Sequence, residues 1–77
     1  MSIELGTQII GSWGAMVPES YGHISSMTET NQGIDIDILW SHGSVYHATL
    51  EDVRDDYASE GNFDRIGLFV NPFTDEI

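Results

Sequence analysis

The chain has no cysteine and no lysine, and only two positive side chains, Arg54 and Arg65, stand against thirteen acids. Without cysteine, neither a disulfide framework nor a thiolate metal cage can reinforce the core. Without lysine, nucleic acid is a poor partner: phosphate binding rests on Lys and Arg displacing counterions, and two arginines do not supply a series of such contacts. Direct binding to DNA or RNA is therefore not expected. No run approaches the ~20 apolar residues of a membrane span. The opening Met1-Ser2-Ile3-Glu4-Leu5-Gly6 also lacks the basic and apolar regions of a signal peptide. The expected location is soluble and cytoplasmic, with no membrane contact.

What is present points to a folded β protein. A chain of 77 residues has room for one domain, expected over residues 1–71 with a tail at 72–77, and buries only roughly 60% of its unfolded surface. Tight β closure or self-association must supply the missing stability. Two tryptophans, three tyrosines and three phenylalanines set the chain apart from a disordered acidic tail. The net charge of −11 favours solubility, repulsion from anionic membranes and attraction to basic proteins. It reads either as a solvated acidic surface or as the mark of a basic partner.

Strand signals dominate the pattern. Residues Ile3 to Ile10 form a first short strand broken by Gly6, running into a long ordered loop from Gly11 to Pro18. In the next strand, Tyr21 to Glu29, Tyr21, His23, Ser25 and Met27 share one side, and Gly22, Ile24 and Ser26 the other. A turn follows at Thr30-Asn31-Gln32-Gly33. Then Ile34-Asp35-Ile36-Asp37-Ile38-Leu39-Trp40 alternates apolar and acidic residues, the mark of a half-buried strand.

The loop after Trp40 decides the hairpin. A two-residue loop would oppose Ile38 to His47 and bury an imidazole. A three-residue loop Ser41-His42-Gly43, with Gly43 at positive φ in a bulge, opposes Trp40 to Ser44, Ile38 to Tyr46, Ile36 to Ala48 and Ile34 to Leu50. The second register puts Ile34, Ile36, Ile38, Tyr46 and Leu50 in the core and Asp35, Asp37, Leu39, Val45 and His47 outside, since a one-residue slip inverts both faces. Beyond it, Glu51 to Ala58 predicts a short helix with Thr49 as N-cap, limited by like charges four apart and ended near Gly61. A last strand runs from Phe63 to Val70, with Ile66, Leu68 and Val70 on one side.

Five short strands, a long loop after the first and a short helical turn before the last give the order of an all-β, five-stranded SH3-like barrel. The Gly6 strand, the Gly22-His23-Ile24 opening of strand two, Trp40-Ser41-His42-Gly43-Ser44-Val45-Tyr46 and the Leu50-Glu51-Asp52-Val53 turn carry a resemblance to Tudor- or KOW-type barrels over residues 3 to 70. In style the chain also resembles acidic, cysteine-free bacteriophage products. The Tudor resemblance implies an aromatic cage for a methylated lysine or arginine, and Trp13, Tyr21, Trp40 and Tyr46 fall in the matching segments. Trp40 and Tyr46 also fit the core-facing stripe, and core packing is the stronger reading for those two, which leaves Trp13 and Tyr21 as candidates for a surface contact.

Reactive constellations are sparse. His23, His42 and His47 lie in different segments without the spacing of zinc ligands, and the carboxylates lack the order of a calcium loop. No serine stands in a Gly-x-Ser-x-Gly elbow, and Gly11-Ser12-Trp13-Gly14 lacks the lysine of a phosphate loop. No catalytic residue, metal or cofactor is expected. His47 faces Asp37 across the outer surface, a partnership that raises its pKa.

The leading expectation is a non-enzymatic protein-interaction or assembly module that self-associates or binds another protein. Its contact residues are Trp13, Met16, Tyr21, Leu39, Val45 and His47, with Leu39 and Val45 paired as an apolar patch. The alternatives are an acidic nucleic-acid mimic that inhibits a basic protein and an aromatic-cage reader of methylated residues.

Overall fold

The isoleucine–aspartate alternation forms the strand it predicts. In the computed structural model, which describes residues 3–14, 16–55, 57 and 66–72, the strands are β1 (Gln8–Trp13), β2 (Ser20–Thr30), β3 (Gly33–Trp40), β4 (Val45–Thr49), β5 (Val53–Arg54) and β6 (Ile66–Val70). They make one curled sheet, a half-barrel, in the order β4-β3-β2-β1-β6-β5. All pairs are antiparallel except β5 with β6. The all-β class is as expected, with a short helical turn ahead of a late strand. Among the described residues the strands number six, because residues read as helix contribute a further two-residue strand.

The hairpin takes the three-residue loop. Gly43 sits at φ 104°, its N–H donates to Trp40 O at 2.9 Å, and Trp40 N–H donates to Ser44 O at 2.9 Å. Ile38 opposes Tyr46 and Ile36 opposes Ala48. Ile36, Ile38 and Trp40 then join Ile9, Ile24, Ala48, Val53, Leu68 and Val70 in the core on the concave face, with Leu50 packed against it. Tyr46 differs from expectation. It shares the inward face but is 41% exposed, because β4 is an edge strand and no strand among the described residues covers it.

In β2 the strict alternation fails at a bulge between Ile24 and Ser26, where Ser25 Oγ donates to Asp37 O at 3.3 Å. The extra residue flips the parity of everything after it. Met27 therefore packs against the core beside Ile24 instead of sharing the side of Tyr21 and His23.

The first strand begins later and ends later than expected. Residues before Gln8 form a turn closed by Thr7 N–H to Glu4 O at 3.1 Å, with Gly6 N–H and Thr7 O bonded to Ile24. Gly11, Ser12 and Trp13 lie in β1, where loop was expected, because the glycine admits two indoles. A Cβ on Gly11 would stand 2.6 Å from the Trp13 ring and 2.7 Å from that of Trp40. Gly22, opposite both Ile9 and Trp40, is likewise pressed against the backbone of Leu39 and Trp40.

The helix expected from Glu51 shrinks to a 3-10 turn, Leu50–Asp52. Asp52 accepts a hydrogen bond from Thr49 N–H at 3.1 Å. Acids four apart repel along a helix, and Val53 gains more by burial opposite Leu68 in β5. Ala58, Gly61, the stretch Phe63 to Arg65 and tail residues 73–77 lie outside the described residues. In β1 and β6, Ile10, Ser12 and Phe69 are buried on the outer face as well, and Tyr57 packs edge-on against Phe69 at 5.5 Å. Continuous apolar runs such as Leu68-Phe69-Val70 are what two-sided burial demands.

Candidate functional site

Sheet register builds one row of side chains across four strands on the outer face. Gln8 opposes His23, His23 opposes Leu39, and Leu39 opposes Val45. Tyr21, two residues before His23 on β2, shares that face. An open groove of about 400 Å³ lies over this row, lined by Gln8, Tyr21, Gly22, His23, Leu39, Trp40, Ser41 and Gly43. Its wall is mainly apolar side chain and ring, with an amide, an imidazole and a phenol for orientation. Such a surface can take an apolar group and hydrogen-bond beside it.

Glu19 fixes one side of this region. Its carboxylate accepts from the Tyr21 hydroxyl at 3.0 Å and from the Tyr57 hydroxyl at 2.9 Å, tying the β1–β2 connection to the chain after β5. The Tyr21 pKa is raised, first by the hydrogen bond to Glu19, then by burial and the carboxylate's charge. That of Tyr57 is raised first by burial and then by Glu19. Both phenols are thereby held as hydrogen-bond donors.

On the next row His47 Nδ1 and Asp37 Oδ1 meet at 2.6 Å. The hydrogen bond and charge of Asp37, aided by Asp35, raise the imidazole pKa, as the cross-strand reading anticipated.

The six sequence-derived contact residues separate into three places. Tyr21, Leu39 and Val45 share the outer face around the groove, with Val45 62% exposed, and His47 follows them one row away. Met16, 93% exposed, stands in the β1–β2 connection. Trp13 is on the opposite, concave face, where its Nε1–H donates to Ser20 Oγ at 3.0 Å.

There Trp13, Trp40 and Tyr46 form a triangle of rings with centroids 6.0, 6.1 and 6.2 Å apart. These tilted, edge-on contacts are those of aromatic packing. Tyr21, the fourth cage candidate, lies across the sheet from them. Of the groove residues, Tyr21 and Leu39 were anticipated as contacts, whereas Gln8, Gly22, His23, Trp40, Ser41 and Gly43 were not. The alternation of β2 put His23 beside Tyr21, but only the pairing of β2 with β1 and β3 brings Leu39 and Gln8 to it.

Among the described residues no group of three or more His, Asp or Glu side chains is placed to hold a metal ion. No helix there is long and apolar enough to cross a membrane. Comparison with protein-family models, with curated proteins and with solved structures finds no match to this chain.

Proposed function

We infer that the chain is a protein-interaction module whose binding surface is the outer face of β2, β3 and β4. The observation that carries this reading is the juxtaposition of Leu39 and Val45 with an open groove walled by Tyr21 and His23. An apolar patch beside a groove on an otherwise polar sheet face marks a place where another surface is covered. Exposed Met16 and Val17 add apolar area in the β1–β2 connection.

The nucleic-acid mimic finds less support. It calls for carboxylates spaced along one surface, whereas Glu51 and Asp52 occupy a single turn and Asp37 is paired with His47. A photoreactive phenylalanine placed at Val45, with Asn31 in the β2–β3 turn as control, tests the module in cells of origin. The expected result is a discrete protein adduct from Val45 alone that disappears with Leu39→Asp. Equal labelling from both positions, or an adduct indifferent to Leu39→Asp, would sink the reading. An adduct of twice the chain mass identifies the partner as a second copy.

A further inference from the structure

The edge of the sheet has its own recognition chemistry, separate from the groove. β4 ends the strand order, and among the described residues nothing pairs beyond it. The Trp40–Ser44 hydrogen bond fixes the alternation along the hairpin. In an antiparallel ladder the residues that exchange bonds occur every second position, so Tyr46 and Ala48 bond to Ile38 and Ile36. The N–H and C=O of Val45 and His47 point away from the sheet. Thr49 N–H also points outward but is taken by Asp52 at 3.1 Å. What remains is a short edge that no strand among the described residues pairs, open to a strand but too brief for extended aggregation.

Charge chooses the occupant. Asp35 flanks this edge on β3, Asp37 beside it is paired with His47, Glu51 and Asp52 follow it in the turn, and Arg54 comes two residues later on β5. A second copy would bring the same acids and the same net charge of −11 against them. We propose that the β4 edge at Val45 and His47 accepts an extended, lysine- or arginine-bearing segment of a partner protein, added as a further antiparallel or parallel strand. The main chain supplies the hydrogen bonds, the flanking carboxylates attract alternate cationic side chains, and Tyr46 offers its exposed ring on the concave side.

The probe is a blocked octapeptide of alternating lysine and valine. Two companions accompany it: the same peptide with alternate amides N-methylated, and a glutamate–valine version. Amide exchange of the protein and fluorescence anisotropy are the readouts. The lysine peptide is expected to slow exchange at Val45 and His47, to bind more weakly as salt rises, and to outbind its N-methylated form by about tenfold. Val45→Pro, which removes one outward donor, should weaken it similarly, whereas Val45→Ala, which removes the side chain and keeps the donor, should not. If that variant does not fold, the N-methylated peptide still decides.

Equal binding by the N-methylated peptide would overturn the proposal in favour of charge alone, and so would binding of the glutamate peptide as tight as that of the lysine one. Protection at Val45 and His47 that grows with protein concentration before any peptide is added would overturn it in favour of a second copy. The groove reading is tested through side chains on the outer face and this one through main-chain amides, so the two fail separately.

Discussion

At the scale of single residues, the chemistry of the surface is set by a few pairs. His47 and Asp37 stand opposite one another at 2.6 Å, and their bond raises the imidazole pKa above its ordinary 6.5. A group whose pKa is higher folded than unfolded stabilises the fold while protonated. The contribution is therefore complete below the ordinary imidazole value and disappears as pH climbs through the raised one. Asp37→Asn should lower the His47 midpoint in an NMR titration, and the stability gap between wild type and variant should be present in mild acid and close at alkaline pH. A His47 midpoint unmoved by the substitution would show that the contact is absent in solution. This pair was legible in the sequence, since the alternation of β3 and the chemically sensible hairpin register leave Asp37 nowhere else to face.

At the scale of elements, glycines mark two different demands. Gly43 lies at φ 104°, and no atom of the described residues comes within 4 Å of the place a Cβ would take, so only its left-handed backbone resists substitution. Gly43→Ala should cost about 1 kcal/mol. Gly22 carries no positive φ, but a side chain there meets the backbone of Leu39 and Trp40. Backbone in the middle of a sheet does not move aside cheaply, and Gly22→Ala should cost about 3 kcal/mol. Urea unfolding of the two variants checks the order, which reverses if turn geometry outweighs strand packing. The first glycine could be assigned from the hairpin's own pattern. The second could not, because its reason is the close approach of a different strand, the backbone of Leu39 and Trp40 with the Trp40 ring.

At the scale of the molecule, charge and shape oppose each other. A fold carrying −11 with two arginines repels itself, and the repulsion grows as the chain compacts. Raising NaCl from about 0.01 M to about 0.15 M shortens the screening length and should raise the melting temperature by roughly 5 °C. A flat or falling melting temperature in a thermal scan would show that local pairs already offset the acids. The same charge bears on partners. The half-barrel leaves β4 at one border, flanked by acids, and a second chain of the same sign meets a penalty there that a basic one does not.

The sequence by itself determined the all-β class, the β3–β4 hairpin with its loop and register, the two faces of that hairpin, and the His47–Asp37 pair. These are consequences of period-two alternation and of turn chemistry, both local in the chain. Tertiary structure decided the rest. The Ser25 bulge that turns Met27 inward, the inclusion of Gly11 and Trp13 in β1, the exposure of Tyr46 on an edge, and the meeting of Gln8, His23 and Leu39 all depend on which strands lie side by side. Strand order is fixed by how the whole set of apolar faces closes on one core, and no local pattern carries that information.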